Sequence, residues 1–200
     1  MPRAHPHLHA PPEITRTGPS TVAKLAPAVG LALAIGAFIV TVVAANLLTN
    51  RYGLIGVGFG LTATAGTAAA GLTLLARDGV HHTGGRTYVL ACIAVGALGS
   101  AVLTSPRLAL ASATAFGCSE AADWAVYQRL YRRGWIVAAL ASNTVGAPVD
   151  TVLFLTLAGF GVWPALAGQL WVKAIATIIP LTLVTTVRAV LRHRLRPPGP

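Results

Sequence analysis

Six apolar blocks fill the chain from Leu25 to Val190, and that layout leaves few folds open to it. They run Leu25–Leu48, Gly53–Ala76, Thr87–Thr104, Leu108–Leu130, Trp135–Gly161 and Val162–Val190. As helices at about 1.5 Å per residue, each can cross a hydrocarbon core about 30 Å thick, some with tilt. The apolar residues run continuously instead of at amphipathic spacing. Hydrophobic residues make up 54% of the 200 and charged residues 10%, with a mean hydropathy of +0.69, which is too apolar for a soluble domain. The expectation is an all-α polytopic membrane protein with six transmembrane helices over residues 24–192.

Flanking this core are a Pro/His-rich tail at 1–23, expected to be disordered and without the apolar region of a signal peptide, and a short basic tail at 193–200. The net charge of +10 is explained by where the charges fall. Arg3, Arg16, Lys24, Arg77, Arg86, Arg129, Arg132, Arg133, Arg188, Arg192, Arg194 and Arg196 fall on one side of the expected membrane, against Arg51 and Arg107 on the other. That asymmetry predicts two cytoplasmic termini in a plasma membrane. Basic residues at block ends suit anionic headgroups, and no aromatic-basic patch tracks a nucleic acid. Cys92 and Cys118 lie in separate blocks without a CxxC partner, so no disulfide or metal site is expected. His5, His7 and His9 sit on a flexible arm without fixed ligand geometry, and His81 and His82 read as solvated loop residues. No HExxH or GxSxG motif is present, so the protein is expected to be no enzyme and to need no cofactor.

The informative residues are the polar ones inside the blocks. Of five acidic residues, Glu120, Asp123 and Asp150 fall within spans, where each costs about 2.5–3.5 kcal/mol and the three together about 7–10 kcal/mol. Such groups persist where they face a cavity or one another. Glu120, Asp123 and Tyr127 share one helix face by their spacing. Counting residues puts Glu120, Asp150 and Lys173 about 15–18 Å below the outer surface, a single polar layer in which Lys173 neutralises Asp150. Gln169 precedes Lys173 by a turn, Asn143 lies two turns below Asp150, and Asn46 adds an amide near the outer end of the first block. Gly146 and Pro148 are expected to kink the fifth helix. Ala28, Ala32 and Gly36 in the first helix, and Gly56, Gly60, Gly66 and Gly71 in the second, suit close helix packing, or a face for a partner.

The segments SEAADWAVYQRL and SNTVGAPVDTVLF, followed by the lysine of QLWVKAIATIIP, resemble the queuosine-precursor transporter family, also grouped as vitamin uptake transporters. The pieces AANLLTN and AGTAAAGLTLLARD look like its first and second helices, so the likeness covers nearly all of the chain after the tail. The resemblance implies a six-helix fold similar to the substrate-binding subunits of energy-coupling-factor (ECF) importers. It implies import of 7-cyano-7-deazaguanine or a related 7-deazapurine base. It also places Asn46, Glu120, Asp123, Asn143, Asp150 and Lys173 around the substrate. A carboxylate accepts the adjacent amino and ring N–H donors of such a base bidentately, while Asn or Lys serves its carbonyl. The chain departs from many members in helix two, where TATAGTAAAG has no acidic residue.

The expected partners are therefore a small 7-deazapurine and the bilayer, with proton or ion coupling, an energising module and a homo-oligomer left open. The alternatives are an ECF-type binding subunit that requires an ATPase module and a structural membrane protein without transport.

Overall fold

Gly53, at φ +60°, stops the first helix and begins the main departure from the expected layout. The computed structural model describes residues 21–133 and 135–194; most of the expected tails, 1–20 and 195–200, lies outside them. Helix α1 covers Thr21–Tyr52, and a hairpin follows in place of a second span beginning at Gly53. Its strands are β1 (Leu54–Gly56) and β2 (Thr62–Thr64), antiparallel with Ile55 opposite Ala63. Left-handed backbone at Gly58, Phe59 and Gly60 makes the turn, which glycine adopts without steric cost. The expected span at Gly53–Ala76 is thus corrected: glycine-rich apolar sequence reads as membrane helix by hydropathy but folds here as a hairpin.

Helix α2 (Thr67–Gly84) begins only after the hairpin and carries Arg77, Asp78, His81 and His82, so the two histidines are helical and not loop residues as expected. Gly85, at φ +80°, closes it and donates its N–H to His81 O at 3.0 Å. Helix α3 is Arg86–Leu103, α4 is Pro106–Leu130, and a 3-10 turn spans Tyr131–Arg133. Helix α5 is Trp135–Ala158 and α6 is Val162–Arg194. The short links force an up-and-down path. The hairpin, the α3–α4 link and the α5–α6 link therefore gather at one end, here the hairpin end. At the α5–α6 corner Arg107 donates from Nε to Leu157 O at 3.3 Å, and a Cβ on Gly159 would lie 2.5 Å from its guanidinium.

Pro27–Tyr52, Arg86–Leu103 and Val162–Pro180 are long and apolar enough to cross a membrane. A shorter apolar stretch, Thr144–Ala158, lies in α5. Phe38, Val80, Val89 and Cys92 form a buried core, with Phe38 edge-on to Phe116 at 5.5 Å between centroids. Lipid is as apolar as these side chains, so the core gains chiefly by packing. Two glycines show how tight that packing is. A Cβ on Gly66 would lie 1.9 Å from Ala45 O, and one on Gly71 2.7 Å from Ala176 Cβ. The α1 stripe behaves differently from the packing expectation. Ala28, Ala32 and Gly36 are exposed, and a Cβ on Gly36 would meet nothing within 4 Å. Gly56 and Gly60 are exposed, in β1 and in the hairpin turn.

Candidate functional site

The three buried carboxylates do not share one layer; they divide between two clusters stacked along α2 and α4. At the hairpin end, Lys173 on α6 donates to Asp150 Oδ2 at 2.5 Å and to Thr151 Oγ1 at 2.9 Å, both on α5. One turn back along α6, Gln169 donates to Thr64 Oγ1 at 3.1 Å, and Thr64 shares a 3.0 Å hydroxyl contact with Thr67. The strand β2 thereby closes this end. Thr62 Oγ1 also donates to Pro164 O at 2.7 Å, and a Cβ on Gly168 would lie 2.0 Å from Thr62 O. The cavity at this end, about 40 Å³, touches Thr73, Ser112, Phe116, Asp150, Gln169 and Lys173. It has room for water but not for a heterocyclic base.

The second cluster is built around Arg77, whose guanidinium forks between two carboxylates of α4. Nη1 donates to Glu120 Oε2 at 2.8 Å and Nη2 to Asp123 Oδ2 at 3.0 Å. Its Nε lies 3.2 Å from Asp78 Oδ1, and His81 Nδ1 lies 3.9 Å from Glu120 Oε1. All three members of the fork are buried, whereas Asp78 is 58% exposed at its side chain. A planar, permanently charged fork suits two carboxylates one turn apart. The other oxygen of Asp123, Oδ1, is buried without a hydrogen bond against α5, where a Cβ on Gly146 would approach to 1.9 Å. Gly146 thus permits close contact between α4 and α5.

This cluster opens on a cavity of about 870 Å³ that reaches Trp124, Tyr127, Gln128, Ser142 and His82. That volume lies within the range of small-molecule sites; its lining is mostly charged and polar, with Trp124 and Tyr127 as the aromatic members. Arg86 stacks over Trp124 with 4.7 Å from guanidinium carbon to ring centroid.

Several expected site residues take other places. Glu120 and Asp123 meet Arg77 in place of Asp150 and Lys173, because α2 runs on to Gly84, about two turns past the expected end at Ala76, and delivers a cation to them. Tyr127 borders the larger cavity; Asp150, Gln169 and Lys173 border the smaller. Asn46 is buried but donates to Ser100 Oγ at 2.9 Å, tying α1 to α3 outside both cavities. The side chain of Asn143 lies outside the described residues. His81 and His82 are exposed helical residues bordering the larger cavity. Arg77 is the residue that reasoning from sequence missed. Its signal was the spacing Thr67, Ala70, Thr73, Arg77, a small and polar helix face that runs on to an arginine.

A family model described as "Putative vitamin uptake transporter" matches residues 32–188, a stretch that contains both cavities. The chain belongs to this family. No curated protein and no solved structure matches it. As a vitamin uptake transporter it is an all-α polytopic membrane protein of a small-molecule uptake family. Ionisable groups within membrane spans commonly face a cavity or one another and mark substrate or ion pathways.

Proposed function

We propose that the protein imports a queuosine precursor, 7-cyano-7-deazaguanine or a related 7-deazapurine base, across the plasma membrane. The observation that carries this reading is the pair of carboxylates, Glu120 and Asp123, presented to a guanidinium beside a base-sized cavity. A guanine-like base carries the same fork of adjacent N–H donors, so carboxylates set for one suit the other. Trp124 and Tyr127 supply aromatic surface for the ring. Asp150, Gln169 and Lys173 form a further station toward the hairpin end, too narrow for the base until the hairpin moves. With both termini cytoplasmic, the larger cavity faces the cell interior and the hairpin faces outward. The role is non-enzymatic.

The test is uptake in bacteria unable to make or import 7-cyano-7-deazaguanine, with queuosine in tRNA as the readout. Cells with the wild-type protein regain queuosine, whereas cells with an equally expressed Glu120→Gln/Asp123→Asn variant do not. No restoration by well-expressed wild-type protein would reject the substrate.

One observation favours a second reading, a binding subunit that works with an ATPase module. Among the described residues the Ala28–Ala32–Gly36 stripe of α1 is exposed, and its small side chains would admit another helix closely. Purification with an energising complex, combined with no uptake by the chain alone, would support that reading over solitary transport.

A further inference from the structure

The two cavities are separated by a single helical turn on each of two helices. Along α2, Thr73 borders the small cavity and Arg77 the large one; along α4, Phe116 borders the small cavity and Glu120 the large one. A turn is about 5.4 Å of rise. The layer between the cavities therefore contains the Arg77–Glu120 bridge itself, with Asp123 bracing the other arm of the guanidinium. We propose that Arg77 is an internal surrogate ligand: its guanidinium occupies the carboxylates that a guanidine-like solute would use, and in doing so closes the passage between the two cavities. This deepens the transport reading and rests on it for the identity of the natural ligand, but the gate itself does not depend on that identity.

Three features support this arrangement over a purely structural ion pair. Arg77 lines the large cavity one helical turn from Thr73, which lines the small one, so its bonds to α4 lie between the two. Asp78, beside it and largely exposed, gives the guanidinium a partner toward the large cavity when it leaves the α4 carboxylates. The buried Oδ1 of Asp123 is held against Gly146 without a hydrogen bond, so its carboxylate is fixed by shape and remains in place when the cation leaves. A solute with adjacent N–H donors would then replace Arg77 on Glu120 and Asp123 with little change in the hydrogen bonding of either acid. Recognition and opening become one exchange of partners, and the ligand class follows: planar heterocycles or small cations with a fork of neighbouring N–H donors.

The test uses the full chain with Cys92 and Cys118 replaced by alanine and one reporter, Thr73→Cys, in the small cavity. In membrane vesicles, a charged thiol reagent is applied from the side that labels a Gln128→Cys control. With Arg77 present, labelling of the reporter is slow; Arg77→Ala raises its rate about tenfold or more. Millimolar guanidinium chloride then slows labelling of the Arg77→Ala protein back toward the starting rate, and ammonium chloride does not. In the triple variant Arg77→Ala/Glu120→Gln/Asp123→Asn, which leaves no unpaired buried acid if Arg77→Ala alone does not fold, labelling is fast and insensitive to guanidinium. A reporter equally slow without Arg77, or a fast one that guanidinium never protects, would overturn the proposal. If guanidinium protects the Arg77→Ala protein and 7-cyano-7-deazaguanine does not, the gate stands and the substrate reading falls.

Discussion

Lys173 places its ammonium 2.5 Å from Asp150 Oδ2, joining α6 to α5 and neutralising one of the three buried carboxylates. The same ammonium reaches Thr151, so two of its three donors are satisfied within a buried environment. Arg77 does the corresponding work for Glu120 and Asp123. Each buried acid therefore has a cation, and each cation comes from a different helix than its partner.

For the Lys173–Asp150 pair, losing one member leaves an uncompensated buried charge. Lys173→Met or Asp150→Asn alone is expected to lower stability by about 3–5 kcal/mol, and the double variant by less than the two together. Thermal unfolding in detergent measures this; singles as stable as the wild type would show that the pair is hydrated.

Gly146 marks the closest approach to Asp123. Gly146→Ala should destabilise by about 1–3 kcal/mol through overpacking. Gly117→Ala, on the α4 helix that carries Asp123 and with nothing within 4 Å of its Cβ, should be neutral or mildly stabilising. Equal melting temperatures for the two variants would contradict the close contact.

The hairpin cap depends on an open position at Gly168. Gly168→Ala brings a Cβ against Thr62 O and is expected to lift β2 from α6. A Thr67→Cys reporter should then react faster with a charged thiol reagent added from the hairpin end. An unchanged rate would mean that the small cavity is not closed by this strand.

Asn46 and Glu120 separate support from recognition. Asn46→Ala removes the bond to Ser100 and should cost about 1 kcal/mol of stability with no change in the KM of uptake. Glu120→Gln should raise that KM about tenfold, the scale of one hydrogen bond to a charged group. The opposite pattern would move the binding site toward α1.

Helices α1, α3, α4, α5 and α6 were legible in the sequence because long apolar runs broken by charged or glycine-containing links mark them. The second span was not, since hydropathy cannot distinguish a glycine-rich hairpin from a glycine-rich helix; the left-handed residues at 58–60 decide it. The pairing of Lys173 with Asp150 could be read by counting depth along two neighbouring helices. The pairing of Arg77 with Glu120 could not, because it rests on where α2 lies, and the hairpin moved its start from Gly53 to Thr67. Depth counting inherits every error in a helix boundary: α4 begins at Pro106 and α5 ends at Ala158, each a turn or less from its expected bound, which sets Glu120 deeper and Asp150 shallower than a single layer requires.

The hairpin also fixes how deep the protein sits. A two-stranded ribbon turns part of its backbone hydrogen-bonding capacity outward, which hydrocarbon cannot satisfy, so this end is confined to the headgroup zone. Phe59 at its tip and Trp163 at the start of α6, 87% and 86% exposed, are suited to that same level. With immersion pinned at the hairpin, a thicker or thinner bilayer has to be accommodated at the opposite end. Lipid composition should therefore act on the mouth of the large cavity and leave the capped end in register.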